Sequence, residues 1–359
     1  MIFFVLFLLL TVFSCSQYSK KNEFNTEYIS RDSTNYIKGI FVFLILLSHA
    51  KGYVELGGIY DEPYSKMQGH LNQMVVAMFL FYSGFGMMEQ IKKRGFDYIK
   101  TIPKKRFPNL LLNFDIAVLL YAVLWVAMKK KLTVKLFVLS LVAWEGMGNS
   151  AWYIFVTLAI YIFIFVSFFA VKWFNKKWHS FIYLAAVTAL TVALVYSLMR
   201  LKAGQPWWYN TAILFPLGMW YSYFKNPIEK LLMKNDITFY SVFALIVTAY
   251  CYSFLHRWDR FMLYTVWAIL FTLGITMITM KVKIESNLLK WLGEHIFSIY
   301  ILQRIPMLIL SYFGVAARHK YIFILVSIII SCAIAEIFDV FTGKLSKAIW
   351  KPKKAELSK

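Results

Sequence analysis

The sequence predicts an all-α protein, a polytopic transmembrane helical bundle of about 10–11 spans. Its 359 residues are 60% hydrophobic and only 16% charged, whereas about 25% of residues are charged in soluble domains. Several runs without Asp, Glu, Lys or Arg are as long as the roughly 20 residues that a bilayer-crossing helix needs. These runs are 151–171, 180–199, 203–224, 237–255 and 261–280.

The full set of predicted spans follows from apolar runs separated by polar loops. The predicted spans are 1–16, 37–54, 67–88, 108–128, 151–171, 180–199, 203–224, 237–255, 261–280, 294–316 and 321–340. The apolar stretch 132–144 is shorter and is interpreted as an interfacial or re-entrant helix on the outer side. No soluble domain is appended, because the polar stretches between the spans are too short to form one.

The basic residues indicate the orientation of the bundle. Residues 91–107, "IKKRGFDYIKTIPKKRF", are strongly basic and should therefore be cytoplasmic. Alternation then also places 17–36, 172–179, 225–236, 281–293 and 341–359 inside, and each of these segments contains several Lys or Arg. Topology thus explains most of the net charge of +21, and contact of a basic loop with anionic membrane lipids or with a phosphorylated cofactor is a further alternative. No nucleic-acid partner is expected, and we predict a multi-pass protein of the cell membrane.

The N-terminal run allows two interpretations. Met1–Ser16 lacks a basic n-region, and Phe13 suits a cleavage site poorly, so a retained short helix is favoured over a signal segment. We divide the chain into 1–35, a short apolar helix with a basic loop, a membrane domain at 36–340, and a basic cytoplasmic tail at 341–359. The three cysteines show no disulfide or metal-ligand spacing, and neither feature is predicted.

One early span carries two polar residues in "YIKGIFVFLILLSHAKG", residues 36–52. Ten residues separate Lys38 from His49, which leaves their side chains about 20° apart around a helix and about 16 Å apart along it. Lys38 should mark the cytoplasmic boundary, and His49 should lie near mid-membrane, facing a cavity or the bundle interior. A neutral imidazole there suits proton removal from an attacking hydroxyl. A histidine that merely bonds a backbone carbonyl is the structural alternative.

The segment "IKGIFVFLILLSHA" resembles the first motif of acyltransferase family 3, a basic residue followed after ten residues by histidine. Other segments resemble the family's patterns in the same order, so the likeness spans about 36–340. They are "MFLFYSGFGM" (78–87), "KTIPKKRFPNLL" (100–111), "NSAWYIFVTLAIY" (149–161) and "WLGEHIFSIYILQRIP" (291–306). Lys38 replaces the more common arginine, and Gln303 stands where the late motif often has a histidine, so no role of that histidine is transferred.

The resemblance implies a membrane acyltransferase that transfers groups other than aminoacyl groups. It implies that an acyl group, with acetyl as the expected one, is transferred from acyl-CoA. The acceptor would be a hydroxyl of a cell-surface or exported glycan, or of a lipid-linked sugar. His49 would be the general base and Lys38 its catalytic partner. Lys104, Lys105, Arg106 and Arg304 are assigned to binding of the acyl-CoA co-substrate, because basic side chains at a helix start favour phosphate. The ordinary positive bias of a cytoplasmic loop is the alternative for the first three. No tightly bound cofactor or metal is expected.

Other residues are assigned to the substrate site, each with a structural alternative. Ser83 could line the site, or Ser83 and Gly84 could let a helix approach closely. Glu145 and Trp152 could contact a sugar, although interfacial tryptophan is common. Tyr300 precedes Arg304 by four residues and lies on a similar helix face, so it could line the same cavity or serve as an aromatic packing residue.

Arg304 itself should lie near mid-membrane and therefore needs a partner. Asp115, Glu336 and a bound anionic group are the candidates. A transporter or flippase of a sugar or lipid intermediate is the rival function, but the chain lacks the two related halves that many transporters show. A catalytically silent membrane scaffold is the third alternative.

Overall fold

The structure, a computed structural model, describes residues 1–71, 73–171, 179–256 and 261–350. These residues form seventeen α-helices, three short 3-10 or π-helical turns and one small strand pair. The first helices are α1 (Ile2–Ser14), α2 (Arg31–Ala50), α3 (Glu62–Leu71), α4 (Met74–Ile99), α5 (Phe107–Ala127), α6 (Val134–Leu141), α7 (Ala151–Val171) and α8 (His179–Leu201). They are followed by α9 (Leu214–Tyr223), α10 (Lys225–Leu232), α11 (Asp236–Leu255), α12 (Phe261–Lys281) and α13 (Asn287–Glu294). The last are α14 (Ile296–Leu302), α15 (Arg304–Tyr312), α16 (Val315–Arg318) and α17 (Lys320–Ile349).

The all-α membrane fold predicted from the sequence is confirmed. Within the described ranges, eight helices are long and apolar enough to cross a membrane, and the bent pair 287–294 and 296–312 raises the number to nine. The eight include α2, α4, α5, α7, α8, α11, α12 and α17. The strands β1 (Ser16–Tyr18) and β2 (Val282–Ile284) pair antiparallel, with Ser16 opposite Ile284.

Two predicted spans are shorter as helices than the sequence suggested. The segment 1–16 forms a helix of 13 residues, because the chain leaves the helix at Cys15 to begin β1. The segment 203–224 is helical only in α9, which has 10 residues. Gly204 has a φ of +79° and Pro206 begins a short 3-10 turn, so the backbone before α9 is irregular. The span 294–316 is also interrupted, as described below.

The predicted cytoplasmic loops that the structure describes meet at one end of the bundle, which we call the basic end. There the backbone N–H of Asn22 donates to Asp236 at 3.0 Å, and Lys281 pairs with Asp236 at 2.5 Å. Lys290 pairs with Asp32 at 3.0 Å at the same end. Residues 172–178 and 351–359, predicted to be cytoplasmic, lie outside the described part of the chain. The side of the membrane that the basic end occupies stays a prediction.

The opposite end is held together by loops between the other helix termini. Asp61, which is almost fully buried, accepts hydrogen bonds from Lys320 at 2.6 Å and from the amino group of Met1 at 2.7 Å. Burial alone would raise the pKa of Asp61. Hydrogen bonds from Lys320, the amino group and the Gly57 N–H outweigh burial and hold that pKa well below its usual range. Asp61 therefore stays ionised and ties the start of α17 to the loop before α3.

Glycines set the closest helix contacts in the bundle. A Cβ atom built on Gly84 of α4 would lie 1.9 Å from the carbonyl oxygen of Phe215 in α9, and one on Gly218 would lie 2.0 Å from that of Phe81. On α2 and α13, Gly39 and Gly293 approach the facing backbones as closely. Such reciprocal contacts let two backbones pack without side chains between them. The predicted packing role of Gly84 is therefore visible in the structure.

Replacing Gly218 with alanine should destabilise the bundle, because the new Cβ atom would collide with the Phe81 carbonyl. Overpacking of this kind costs about 1–3 kcal/mol. Gly86→Ala is the matched control, since no atom lies within 4 Å of a Cβ at that position in α4. Thermal unfolding of the purified proteins in detergent should show a lower midpoint for Gly218→Ala alone. Equal midpoints for the two variants would contradict the close α4–α9 contact.

Candidate active site

Three cavities follow one another through the bundle. The first, which we call the basic-end cavity, has a volume of about 620 Å³ and is lined by Arg31, Lys38, Ser83, Arg106 and Lys225, among others. The middle cavity has a volume of about 210 Å³ and shares Lys38, Ser83 and Tyr161 with the first. The His49 cavity, about 430 Å³, lies towards the opposite end and shares Tyr300 with the middle one. Together they line a route between the two ends.

Helix α2 contributes to all three cavities. Its N-cap residue Ser30 accepts a hydrogen bond from the Ser33 N–H at 3.2 Å, which fixes the start of the helix at the basic end. Lys38 then lines the basic-end and middle cavities, and His49 lines the third. One helix face therefore carries the cation and the imidazole along the route, as their spacing predicted.

The imidazole of His49 lies among aromatic and polar side chains. Its ring centroid is 6.4 Å from that of Tyr300. Its Nδ1 atom is buried and forms no hydrogen bond with any described residue. The charge of Arg304 acts on the ring, and the Gln303 side chain lies close to it. A ring in this position has a nitrogen available for a ligand in the cavity.

Helix α14 ends at Leu302 and α15 begins at Arg304, and Tyr300 before this short break and Arg304 after it both line the His49 cavity. Pro306 lacks an N–H, so it cannot bond the backbone four residues earlier, and a proline inside a helix also clashes there. Side chains satisfy the neighbouring carbonyl oxygens. Tyr121 donates to Ile301 at 3.1 Å. Gln303 donates to the Tyr300 carbonyl at 3.1 Å, and Ser331 donates to the Gln303 carbonyl at 3.3 Å. Irregular backbone at membrane depth is tolerated only where such partners exist.

Arg304 lines the His49 cavity rather than the basic-end cavity. The structure therefore does not bring it together with Arg106, with which the sequence analysis had grouped it. Its suggested partner Glu336 lies at the basic end, where Trp291 donates to it at 3.1 Å and His295 approaches at 3.2 Å. None of the ion pairs between described residues includes Arg304 or Asp115.

The wall of the His49 cavity at the opposite end is formed by the loop before α7 and the turn before α9. Gly148 has a φ of +105°, and the Asn149 side chain accepts a hydrogen bond from the Met147 N–H at 3.0 Å. This turn presents Glu145 and Trp152 to the cavity. Both were predicted substrate residues, and both share the cavity with His49 and Tyr300.

A buried lysine supports that wall. Lys202 is only 5% exposed and lies 4.2 Å from the ring centroid of Trp144 and 4.5 Å from that of Trp208. Its ammonium group donates to Glu145 at 3.1 Å and to the Trp144 carbonyl at 2.8 Å. The negative charge of Glu145 is therefore matched by a fixed cation.

The remaining predicted residues separate into two groups. Ser83 lines the basic-end and middle cavities, and Arg106 lines the basic-end cavity. Lys104 and Lys105 are exposed and do not line any of the three cavities. They share a single π-helical turn with Arg106, Ile102–Arg106, which points the three basic side chains in different directions.

Sequence reasoning missed several residues that line the cavities. In the His49 cavity these are Ser48, Gln73, Gln205, Trp207 and Trp208, and at the basic end they include Arg31, Glu89 and Lys225. The stretch "GQPWW", residues 204–208, carried a signal, because proline and polar residues are unusual within a span. That stretch was instead included in the predicted span 203–224.

Comparison with known proteins gives one match. A family model described as an acyltransferase domain matches residues 31–337 of the chain. Comparison with curated proteins and with solved structures gives no match. The matched range begins at the first residue of α2 and ends within α17, so it contains all the residues that line the His49 cavity.

Tyr121→Phe should destabilise the protein, because it leaves the buried Ile301 carbonyl at the helix break without its side-chain donor. An unsatisfied buried group costs about 1–3 kcal/mol. Tyr183→Phe is the matched control, since the Tyr183 hydroxyl is buried and forms no hydrogen bond with any described residue. Thermal unfolding in detergent should show a lower midpoint for Tyr121→Phe and an unchanged or higher one for Tyr183→Phe. The reverse order would contradict the role given to Tyr121.

Proposed function

The chain belongs to this family of membrane acyltransferases, and on that premise we propose that it is an O-acyltransferase that uses acyl-CoA. The acyl group, acetyl in the simplest case, passes to a hydroxyl of a cell-surface or exported glycan, including a lipid-linked sugar. His49 is the general base. The observation that carries the proposal is the route of three cavities that joins the basic end to His49.

The basic-end cavity suits the phosphates of acyl-CoA. Arg31, Lys38, Arg106 and Lys225 are among its lining residues. Its two acidic residues are Glu27 and Glu89, and Glu89 is already engaged by Lys92 at 2.5 Å and by Ser222 at 2.6 Å. The positive charges therefore exceed the free negative ones, which favours a polyanionic ligand.

The middle cavity suits the arm and the thioester of the donor. Its lining is mainly aromatic and apolar, with Phe79, Leu110 and Phe297, and with hydroxyl groups on Ser83 and Thr157. A volume of about 210 Å³ favours a short acyl chain over a long one. Tyr300 lies where this cavity meets the His49 cavity, so the thioester carbon would reach the imidazole beside Tyr300.

The chemistry is a direct transfer. The acceptor hydroxyl gives its proton to His49 while its oxygen forms a bond to the thioester carbon. The carbon–sulfur bond then breaks, and the thiolate leaves with a proton returned from the imidazolium. The products are the acylated hydroxyl and free CoA thiol, and His49 is again neutral. Base catalysis of this kind accelerates a reaction about 10²–10⁴-fold.

The His49 cavity suits a sugar as the acceptor. Trp152, Trp207 and Trp208 provide ring faces, and the side chains of Asn149 and Gln205 provide hydrogen-bonding groups. Aromatic faces with a few polar groups are typical of sites that orient an amphipathic ligand. Membership of an acyltransferase family also favours this function over the transport of an unmodified sugar.

His49→Gln should strongly reduce ester formation, because an amide cannot take the proton from the hydroxyl. We expect a decrease of about 10²–10⁴-fold in the rate of acyl transfer. His256→Gln is the control, since His256 is exposed and its ring nitrogen contacts its own helix at the Tyr252 carbonyl. The measurement is the acyl ester content of glycans from cells that carry each variant. If the ester content were unchanged in His49→Gln and the transport of unmodified sugar were lost, the result would instead support a transporter.

Arg106→Gln should weaken the binding of acyl-CoA, because Arg106 lines the basic-end cavity. We expect KM for acetyl-CoA to rise about tenfold with little change in kcat. A rise of that size corresponds to the loss of one charge-assisted hydrogen bond. The double variant Lys104→Gln/Lys105→Gln should change KM far less, since neither side chain lines the cavity. An acetyl thioester of N-acetylcysteamine, which has no phosphate, should show no difference between the proteins. An equal rise in KM for both variants would place the phosphates outside the cavity.

A further inference from the structure

Arg304 occupies an unusual position for a cation. It is the first residue of α15 and lines the same cavity as His49. Its Nε atom is buried and forms no hydrogen bond with any described residue. A charged side chain within a membrane-spanning segment is normally paired or faces a water-filled cavity. Arg304 does line a cavity, and the question is which group pairs with it there.

The protein's own carboxylates do not neutralise Arg304. Glu336 is held by His295 and Trp291 at the basic end. Glu145 shares the cavity, but it is paired with Lys202 at 3.1 Å. In the described part of the chain, Arg304 and Glu145 are the only Asp, Glu, Lys or Arg side chains that line the His49 cavity. The cavity therefore contains one positive charge without a matching negative charge.

A permanent anion on the ligand matches this charge better than a transient one. The oxyanion of the transition state exists only during turnover, so it adds nothing to the affinity for the bound acceptor. A carboxylate or phosphate pairs with the guanidinium for as long as the acceptor is bound. The planar fork of arginine also fits these two anions with two parallel hydrogen bonds.

We propose that Arg304 binds an acidic group of the acceptor, so that the substrate class is an acidic saccharide, a uronic acid or a sugar phosphate. This proposal rests on the proposed function in taking the His49 cavity as the acceptor site. The acidic group pairs with Arg304 on one wall, and the sugar rings lie towards Trp152 and Trp207. The hydroxyl to be acylated then faces His49. Arg304 thus selects acceptors, whereas the basic-end cavity selects the donor.

The test is ligand binding to the purified full-length protein in detergent, with no acyl donor present. The probes are methyl β-D-glucuronide and methyl β-D-glucoside, which differ in one carboxylate, together with sodium acetate as a free anion. Ligands that bind the folded state raise the midpoint of thermal unfolding. We expect the glucuronide to reach half of its effect at a concentration about tenfold lower than the glucoside or acetate.

Two variants make the result specific to Arg304. Arg304→Gln should remove the preference for the glucuronide, and Arg304→Lys should keep part of it, because it retains the charge without the fork. Arg200→Gln is the matched control, since Arg200 is exposed, bonds Tyr196 at 3.0 Å and does not line the cavity. The unliganded midpoint of each variant reports whether it folds.

The outcomes separate this proposal from the proposed function. Equal effects of the two sugars on the wild type, including no effect of either, would overturn the proposal. So would a preference that survives in Arg304→Gln, or an acetate effect as strong as that of the glucuronide. Because the measurement uses no donor, a protein that forms no esters can still show the preference. Conversely, if Arg304 does not select acidic ligands, the protein can still acylate a neutral acceptor, so the proposed function would stand.

Discussion

The structure depends on one constraint, namely that lipid tails offer no hydrogen-bond partner to polar groups. A backbone or side-chain polar atom at membrane depth needs a partner inside the protein or in a water-filled cavity. The break between α14 and α15 meets this condition, because Tyr121, Gln303 and Ser331 donate to three carbonyl oxygens around it. The same condition keeps His49 and Arg304 directed at a cavity. The irregular backbone and the polar side chains therefore concentrate in one place, and that place is where chemistry can occur.

Close helix packing keeps this place in a fixed shape. Gly84 and Gly218 bring α4 and α9 into backbone contact, and Gly39 and Gly293 do the same for α2 and α13. Lys38 precedes Gly39, and Ser83 precedes Gly84, so each of these cavity-lining residues adjoins a contact that cannot widen easily. The separation of these helices is therefore set by backbone contacts rather than by mobile side chains. This is a physical reason for the route to persist without a ligand.

Much of this arrangement could be predicted from the sequence, but only where a single helix carried the signal. The common face of Lys38 and His49 follows from helical periodicity, and the fold follows from hydropathy. The partner of Arg304 could not be predicted, because pairing between distant helices leaves no periodic pattern. Arg304 and Arg106 line different cavities, which the sequence did not indicate, and the segment 203–224 was wrongly taken as one helix because its apolar composition hid the irregular turn around Pro206.

The position of Tyr300 explains how two substrates from opposite ends could meet without an open channel. Its ring is 6.4 Å from His49 on one side and 5.6 Å from Tyr153 on the other, and it lines both the His49 cavity and the middle cavity. In the proposed reaction, a thioester from the basic end and a hydroxyl from the other end would converge at this one side chain. A bulky aromatic ring at that junction limits the passage of water, which would otherwise compete with the acceptor for the acyl carbon. The Tyr300 ring would then both narrow the passage between the two cavities and mark the point where the substrates meet. The same side chain would therefore limit hydrolysis and help to set the geometry of acyl transfer.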